Sequence, residues 1–285
     1  MATIRDAHTI LAPLTLAVVG LTACTSTRLE PREVTFPEIA VGSPHPRGVI
    51  ASYGDALASV LWIMENDLGF PEVTGSLRLY DGRSGLEAGL VGEGYEASYA
   101  RQICGRLDGI TRPGLILAND SKLRWDRWPA RIAFLAHEVA HVAEYALANE
   151  RRGSSDQWLR EGFAEWVSWR VVETMRLGTL ADRRRSAIVH LQEAGAQHDL
   201  PSFKRLVEQS AWIREGNRRT ADPMYDQAFL AADQLIARHG LPAVLDYFRL
   251  FASSDDNLAN FRTAFQRERA LFEADFQSNL DRLLQ

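Results

Sequence analysis

The chain has 285 residues, a net charge of −5, 46% hydrophobic and 24% charged residues. That composition is ordinary for a globular protein, and the length suits one large domain or two small ones with a sizeable core. A mildly acidic chain has no general attraction for nucleic acid, so no nucleic-acid partner is expected, and the local run "RRR" at 183–185 reads as a solvated helix face.

Residues 10–24, "ILAPLTLAVVGLTAC", form an apolar run with Arg5 ahead of it. The run is shorter than the ~20 residues a membrane-spanning helix needs and suits the apolar segment of a signal peptide. Its end, "LTAC", resembles a bacterial lipobox. That resemblance implies cleavage after residue 23 and a lipid on Cys24, hence attachment to a membrane in the cell envelope. Thr25, where an Asp would favour the inner membrane, points to the outer membrane and a domain facing the periplasm. Cys104 is then left without a partner and reads as buried core. Residues 24–47, with Pro31, Pro37, Pro44 and Pro46, read as a tether. The domain proper is expected over 48–285, with a strand-containing part to about 127 and a helical part from about 128.

Helical spacing of Leu57, Val60, Leu61 and Met64 predicts a helix over 53–69. Alternation in "GSLRLYDG" predicts a strand over 75–82, and "PGLILAND" a second over 113–120, with a helix over 94–109 between them. Beyond that the strand signals stop. Helices are expected over 128–153, with Pro129 in the first turn and Gly153 as the stop, and over 154–178, opening on Ser and Asp. A further helix covers 223–242, and "PAVLDYFRLFA" and "NLANFRTAFQRERALFEADFQSNLDRLL" complete a helical C-terminal half. Strands first and helices after them argue for an α+β fold, a small N-terminal mixed sheet followed by helices.

The segment "AHEVAHVAEY" carries His137, Glu138 and His141 as H-E-x-x-H. On a helix, His137 and His141 share a face, so both imidazoles can hold one ion at roughly 2.0 Å. Glu138 stands one step round, where a base would take a proton from water at the metal. The flanking residues are apolar, and buried unpaired His and Glu are costly. Across nineteen intervening residues from His141, Glu161 in "WLREGFAEW" has the spacing of a third ligand on a returning helix. Glu165 lies one turn further on the same face, placed to accept the other ring N–H of a ligand His. Small Gly162 and Ala164 would let these two helices approach closely.

H-E-x-x-H followed by Glu in "W-L-x-E-G-x-A" resembles the gluzincin metallopeptidases, the thermolysin-like and aminopeptidase-like group. The resemblance covers roughly 115–240 and implies a zincin-like fold. It implies a zinc ion on His137, His141 and Glu161, with Glu138 as general base and Glu165 behind a ligand His. It also implies that Tyr225, in "MYDQAFLAADQLIARHG", steadies the oxyanion, and that the strand "LILAN" (115–119) is the edge strand that holds an extended substrate. The metzincin pattern would need Gly and His where Glu144 and Leu147 stand. The N-terminal exopeptidase motif of the aminopeptidases is absent, so aminopeptidase activity is not implied.

The expected activity is zinc-dependent hydrolysis of a peptide or protein substrate at the cell envelope. Two alternatives stay open: a non-catalytic binding or assembly lipoprotein on a peptidase fold, and a zinc amidase acting on a cell-wall component. His190 and His198 read as surface residues rather than ligands. Trp125, Trp128, Trp158, Trp166 and Trp169 read as core around the two site helices.

Overall fold

A four-stranded sheet is built from β1 (Arg32–Thr35), β2 (Ser76–Tyr80), β3 (Gly109–Arg112) and β4 (Leu115–Asn119), with apolar residues alternating along β2 and continuous through most of β4. The computed structural model describes residues 30–40, 42–46, 48–105, 107–151, 155–195, 200–218 and 222–285. The expected signal segment, Cys24 and His198 lie outside them. Strand order is β1-β2-β4-β3; β2 and β4 are parallel and the outer pairs antiparallel. Leu77, Leu79, Ile116 and Ala118 lie in the main core with helices α1 (Tyr53–Trp62) and α5 (Trp128–Leu147). Tyr80 and Leu117 point to the other face, covered by α2 (Arg83–Gly92) and α3 (Ala97–Ile103).

The architecture is α+β in the broad sense, 63% helical with a small mixed sheet. Several details differ from expectation. Residues 32–35, read as tether, are a strand paired with β2, and Phe36 behind them is buried. The helix expected over 53–69 changes to a π-helical turn at Ile63–Asp67. The helix expected over 94–109 is shortened to α3, with β3 beginning at Gly109, and α2 ahead of it was not foreseen. Strand β4 is central rather than at the edge: the β3–β4 hairpin turns at Pro113–Gly114 and leaves β3 outermost.

Beyond a single turn, α4 (Asp120–Leu123), comes α5, which stops at Leu147 because Asn149 and Glu150 take positive φ; the expected stop at Gly153 is not reached. Helix α6 (Gln157–Thr174) returns alongside it, followed by α7 (Leu180–Gly195), α8 (Gln209–Arg218) and α9 (Asp222–His239). Gly162 serves a different neighbour from the one expected. A Cβ there would collide with the Ala228 carbonyl, so it permits the close crossing of α6 and α9.

Helices α10 (Leu241–Leu250), α11 (Asn257–Phe265) and α12 (Arg269–Leu283) close the fold, the last two separated by Gln266 at φ 49°. Phe272 and Phe203 stack on the fully buried Trp158 at 5.9 and 4.4 Å, and burying such rings is the main stabilising term here. Asp156 starts α6 but does not cap it. Its buried carboxylate accepts from Arg269 Nη1 at 2.5 Å and Asn257 Nδ2 at 3.1 Å, tying the C-terminal helices to the start of α6. Burial pushes the Asp156 pKa up to about 6 even against the opposing charge of Arg269. No helix among the described residues is long and apolar enough to cross a membrane.

Candidate metal centre

The apolar stripe of α5 (Ile132, Leu135, Ala136, Val139, Ala140, Ala143) seats the helix in the core. That fixes the opposite edge, with His137, Glu138 and His141, under β3 and facing α6. The Nε2 atoms of His137 and His141 stand 3.2 Å apart. Glu161 Oε2 lies 3.4 Å from His137 Nε2 and 3.7 Å from His141 Nε2. Donors at 2.0–2.1 Å from a tetrahedral zinc stand about 3.3 Å from one another, so this donor set fits such an ion. Among the described residues, His137, His141 and Glu161 form the group able to hold a metal. Gln157 fixes Glu161 by donating its Nε2 to the other oxygen, Oε1, at 2.6 Å.

Each imidazole has a carboxylate behind it. His137 Nδ1 lies 3.3 Å from Glu165 Oε1, the contact expected for a carboxylate that fixes a ligand tautomer. His141 Nδ1 lies 3.3 Å from Glu144 Oε1. Glu144 was missed as a site residue, although its position three residues after His141 puts it on the same helix face.

The charges of these groups lean on one another. Burial opposes protonation of both imidazoles, but the carboxylates outweigh it. Glu161 and Glu165 hold the His137 pKa well above its ordinary value, and Glu144 and Glu161 hold that of His141 at about 9. Glu161 and Glu165 are held below the usual carboxylate range by the same partners, against the cost of their own burial. A cluster that draws positive charge so strongly onto its imidazoles would favour a divalent cation in the same place.

Glu138 is buried, and Thr111 Oγ1 on β3 donates to its Oε2 at 2.6 Å. Gly109 makes this close approach possible: a Cβ there would meet the Phe134 ring and stand 3.2 Å from Glu138 Oε1. Neither Thr111 nor Gly109 was singled out by the sequence, because β3 itself was not foreseen.

Tyr225, on α9, comes to the same place, its ring 6.2 Å from that of His137. Burial and the carboxylates of Glu161, Glu165 and Glu138 push its phenol pKa far up, so it remains a donor at any neutral pH. Trp212 packs edge-on to it at 5.2 Å.

A cleft runs past these residues. On one side of His137 it opens into a cavity of about 390 Å³ whose apolar walls include Ile103, Phe134, Trp169 and Trp212. On the other side a space of about 80 Å³ is bounded by Thr111, Tyr145 and Arg160. Of the tryptophans expected in the core, Trp158 and Trp166 are buried, Trp169 lines the cleft and Trp125 is 82% exposed. The expected solvated face at 183–185 is only partly so. Arg183 is buried and pairs with Asp226 and Glu165, while Arg184 pairs with Asp233 and Arg185 is exposed. His190 is half-exposed and bonded to Asp226, away from the three donors. Cys104 is buried, as expected, and burial pushes its thiol pKa to about 11, which leaves it unreactive.

No family profile, curated protein or solved structure matches this chain.

Proposed function

We propose that the protein is a zinc-dependent metallopeptidase. The observation that carries this reading is the convergence of His137 Nε2, His141 Nε2 and Glu161 Oε2 within 3.7 Å of one another, beside a Glu138 held by its own hydrogen bond. Three protein donors leave a fourth position open, which a structural site does not need. The resemblance of H-E-x-x-H and W-L-x-E-G-x-A to the gluzincins adds to this. A zincin-like architecture belongs to the same proposal, supported by edge strand β3 lying against the helix that carries H-E-x-x-H.

A bound zinc would supply Lewis acidity, lowering the pKa of water and polarising the scissile carbonyl. The chain's own residues do the rest. Glu138, aimed by Thr111, takes a proton from the attacking water and returns it to the leaving amine. The Tyr225 hydroxyl donates to the oxygen of the carbonyl as it gains charge. The outer edge of β3 pairs with the extended substrate backbone, and the larger cavity takes an apolar side chain next to the cleaved bond. An envelope location with a lipid on Cys24 rests on the "LTAC" sequence and is part of the proposal.

The test starts with metal content. The full chain purified in detergent without chelators is expected to hold about one zinc, and Glu161→Ala to lose it. Glu138→Gln is expected to keep zinc and lose hydrolysis of a protein substrate by a factor on the order of 10²–10⁴. A wild-type chain that takes up no zinc on reloading overturns the reading. So does a Glu138→Gln variant as active as wild type.

A further inference from the structure

The two imidazoles turn their Nε2 atoms together and their Nδ1 atoms apart. Behind each Nδ1 the arrangement repeats. Glu165 meets His137 with Oε1 and Arg183 Nη2 with Oε2, both at 3.3 Å. Glu144 meets His141 with Oε1 at 3.3 Å, and its Oε2 lies 3.1 Å from Arg160 Nη2 as an ion pair outside hydrogen-bond geometry, whereas Arg183 donates a hydrogen bond to Glu165. The two assemblies come from different elements: α5, α6 and α7 in the first, α5 and α6 in the second. Both arginines are buried, with side-chain exposures of 10% for Arg183 and 5% for Arg160. Each is also fixed by a ring: the Arg183 guanidinium lies 4.7 Å from the centre of Phe229, and that of Arg160 lies 5.9 Å from Tyr145. Arg183 has a second carboxylate in Asp226, which in turn meets His190 at 3.1 Å.

We infer that Arg160 and Arg183 are positioning residues of the metal centre, each holding the carboxylate that orients one ligand imidazole. The inference rests on the proposed metal site. A carboxylate has two equivalent oxygens and rotates about its last bond. A buried guanidinium, planar and always charged, fixes one oxygen and so leaves the other facing the Nδ1–H. That hydrogen bond holds the tautomer whose Nε2 lone pair faces the ion. Without the guanidinium the carboxylate is free to swing, and a buried anion has lost its counter-charge. Outer partners of this kind govern metal affinity by about 10–100-fold.

Arg184 provides the control. It lies on the same helix as Arg183 and makes two 2.7 Å bonds to Asp233, but it touches no carboxylate behind an imidazole. A purely structural role for buried or paired arginines would show in all three positions as lost stability alone.

The experiment measures zinc affinity by competition with a chromophoric chelator, and the visible spectrum of the cobalt(II)-loaded full chain. Wild type, Arg160→Met, Arg183→Met and Arg184→Met are compared, with circular dichroism to show that each is folded. Zinc binding weakened about 10–100-fold in Arg160→Met and Arg183→Met, with an altered cobalt spectrum, and unchanged in Arg184→Met, is the expected result. Wild-type affinity in both folded Met variants overturns the inference and leaves the metal centre standing. Should the Met variants not fold, Arg160→Gln and Arg183→Gln, which keep a polar group without the charge, carry the same expectation and the same refutation. A wild-type chain that binds neither zinc nor cobalt would instead remove the metal centre, and the inference with it.

Discussion

Loading the centre with zinc at neutral pH is expected to expel protons, and the number follows from the site. In the metal-free chain the His141 pKa is held at about 9 by Glu144 and Glu161, and that of His137 is held well above its ordinary value by Glu161 and Glu165. Both Nε2 atoms must be bare to bind an ion, so at pH 7 at least one proton leaves as one zinc enters. Each pH unit below a ligand's pKa costs about 1.4 kcal/mol, so His141 alone weakens apparent binding at pH 7 by about 3 kcal/mol, on the order of 100-fold, relative to pH 9. Titration calorimetry in two buffers of different ionisation enthalpy counts the protons directly. The same pKa values set the stability of the metal-free chain. A histidine whose folded pKa is raised contributes stability that is fully present below its unfolded value, near 6.5, and is lost as pH rises through the folded value. The contribution from His141 therefore amounts to about 3 kcal/mol and disappears between roughly pH 6.5 and 9. Thermal melts should show the metal-free Tm falling across that window, and the zinc-loaded Tm not following it. Release of fewer than one proton at pH 7, together with a metal-free Tm flat to pH 9, would refute this electrostatic account of the site.

Thr111→Val removes the bond that aims Glu138 and should slow hydrolysis about tenfold, with zinc affinity unchanged in the chelator assay. Tyr225→Phe should lower kcat by about 10²-fold while leaving KM and zinc content as they are, which steady-state kinetics resolves. Gly162→Ala drives a methyl into the Ala228 carbonyl and should cost about 1–3 kcal/mol or more in denaturant unfolding, with the loss tracking the α6–α9 crossing. Arg269→Ala leaves the buried Asp156 carboxylate without its cation and should destabilise the fold by about 3–5 kcal/mol. A Tm for that variant equal to wild type would show that Asp156 is already neutral at the pH used.

Helices α5, α9 and α10 were legible because apolar residues recur along them at helical spacing, and the core uses those residues: Ile132, Leu135, Ala136 and Val139 on α5 are all buried. Strand β2 was legible from its period-two alternation, and β4 as a short apolar run bounded by turn residues. What stayed hidden had no such period. Helix α2 is broken by glycines and offers only Leu86 and Leu90 to the core. Strand β1 sits among prolines, and its own residues are largely exposed, so composition reads it as a linker. Strand β3 is four residues long and half-buried, and it exists through its pairing with β4. Hairpin partners are a tertiary fact, which local pattern records only at the turn, here Pro113–Gly114.

The site divides along the same physical line. Residues four apart on one helix share a face by helical geometry, so the pairs His137 and His141, and Glu161 and Glu165, could be read from spacing. Glu144 was equally readable, since a residue three beyond His141 shares its face, and the sequence "HVAEY" offers a carboxylate there. Its position matters in the metzincin pattern only as the place of a glycine, so that pattern says nothing of its contact with His141. Arg160 precedes Glu161 and looks like a surface charge, yet α6 is buried on nearly every side, which leaves that arginine no solvent to reach. A basic residue on a helix with no polar face needs an acid within the fold, and Glu144 is that acid. The same reasoning applies to Arg183, whose helix is polar overall but turns one arginine inward onto Phe229, Asp226 and Glu165. Buried charge in a sequence is therefore traceable in pairs: once the helix that carries a charged residue is known to lack a solvent face, its partner has to be sought among residues of opposite sign one helical turn or one helix away.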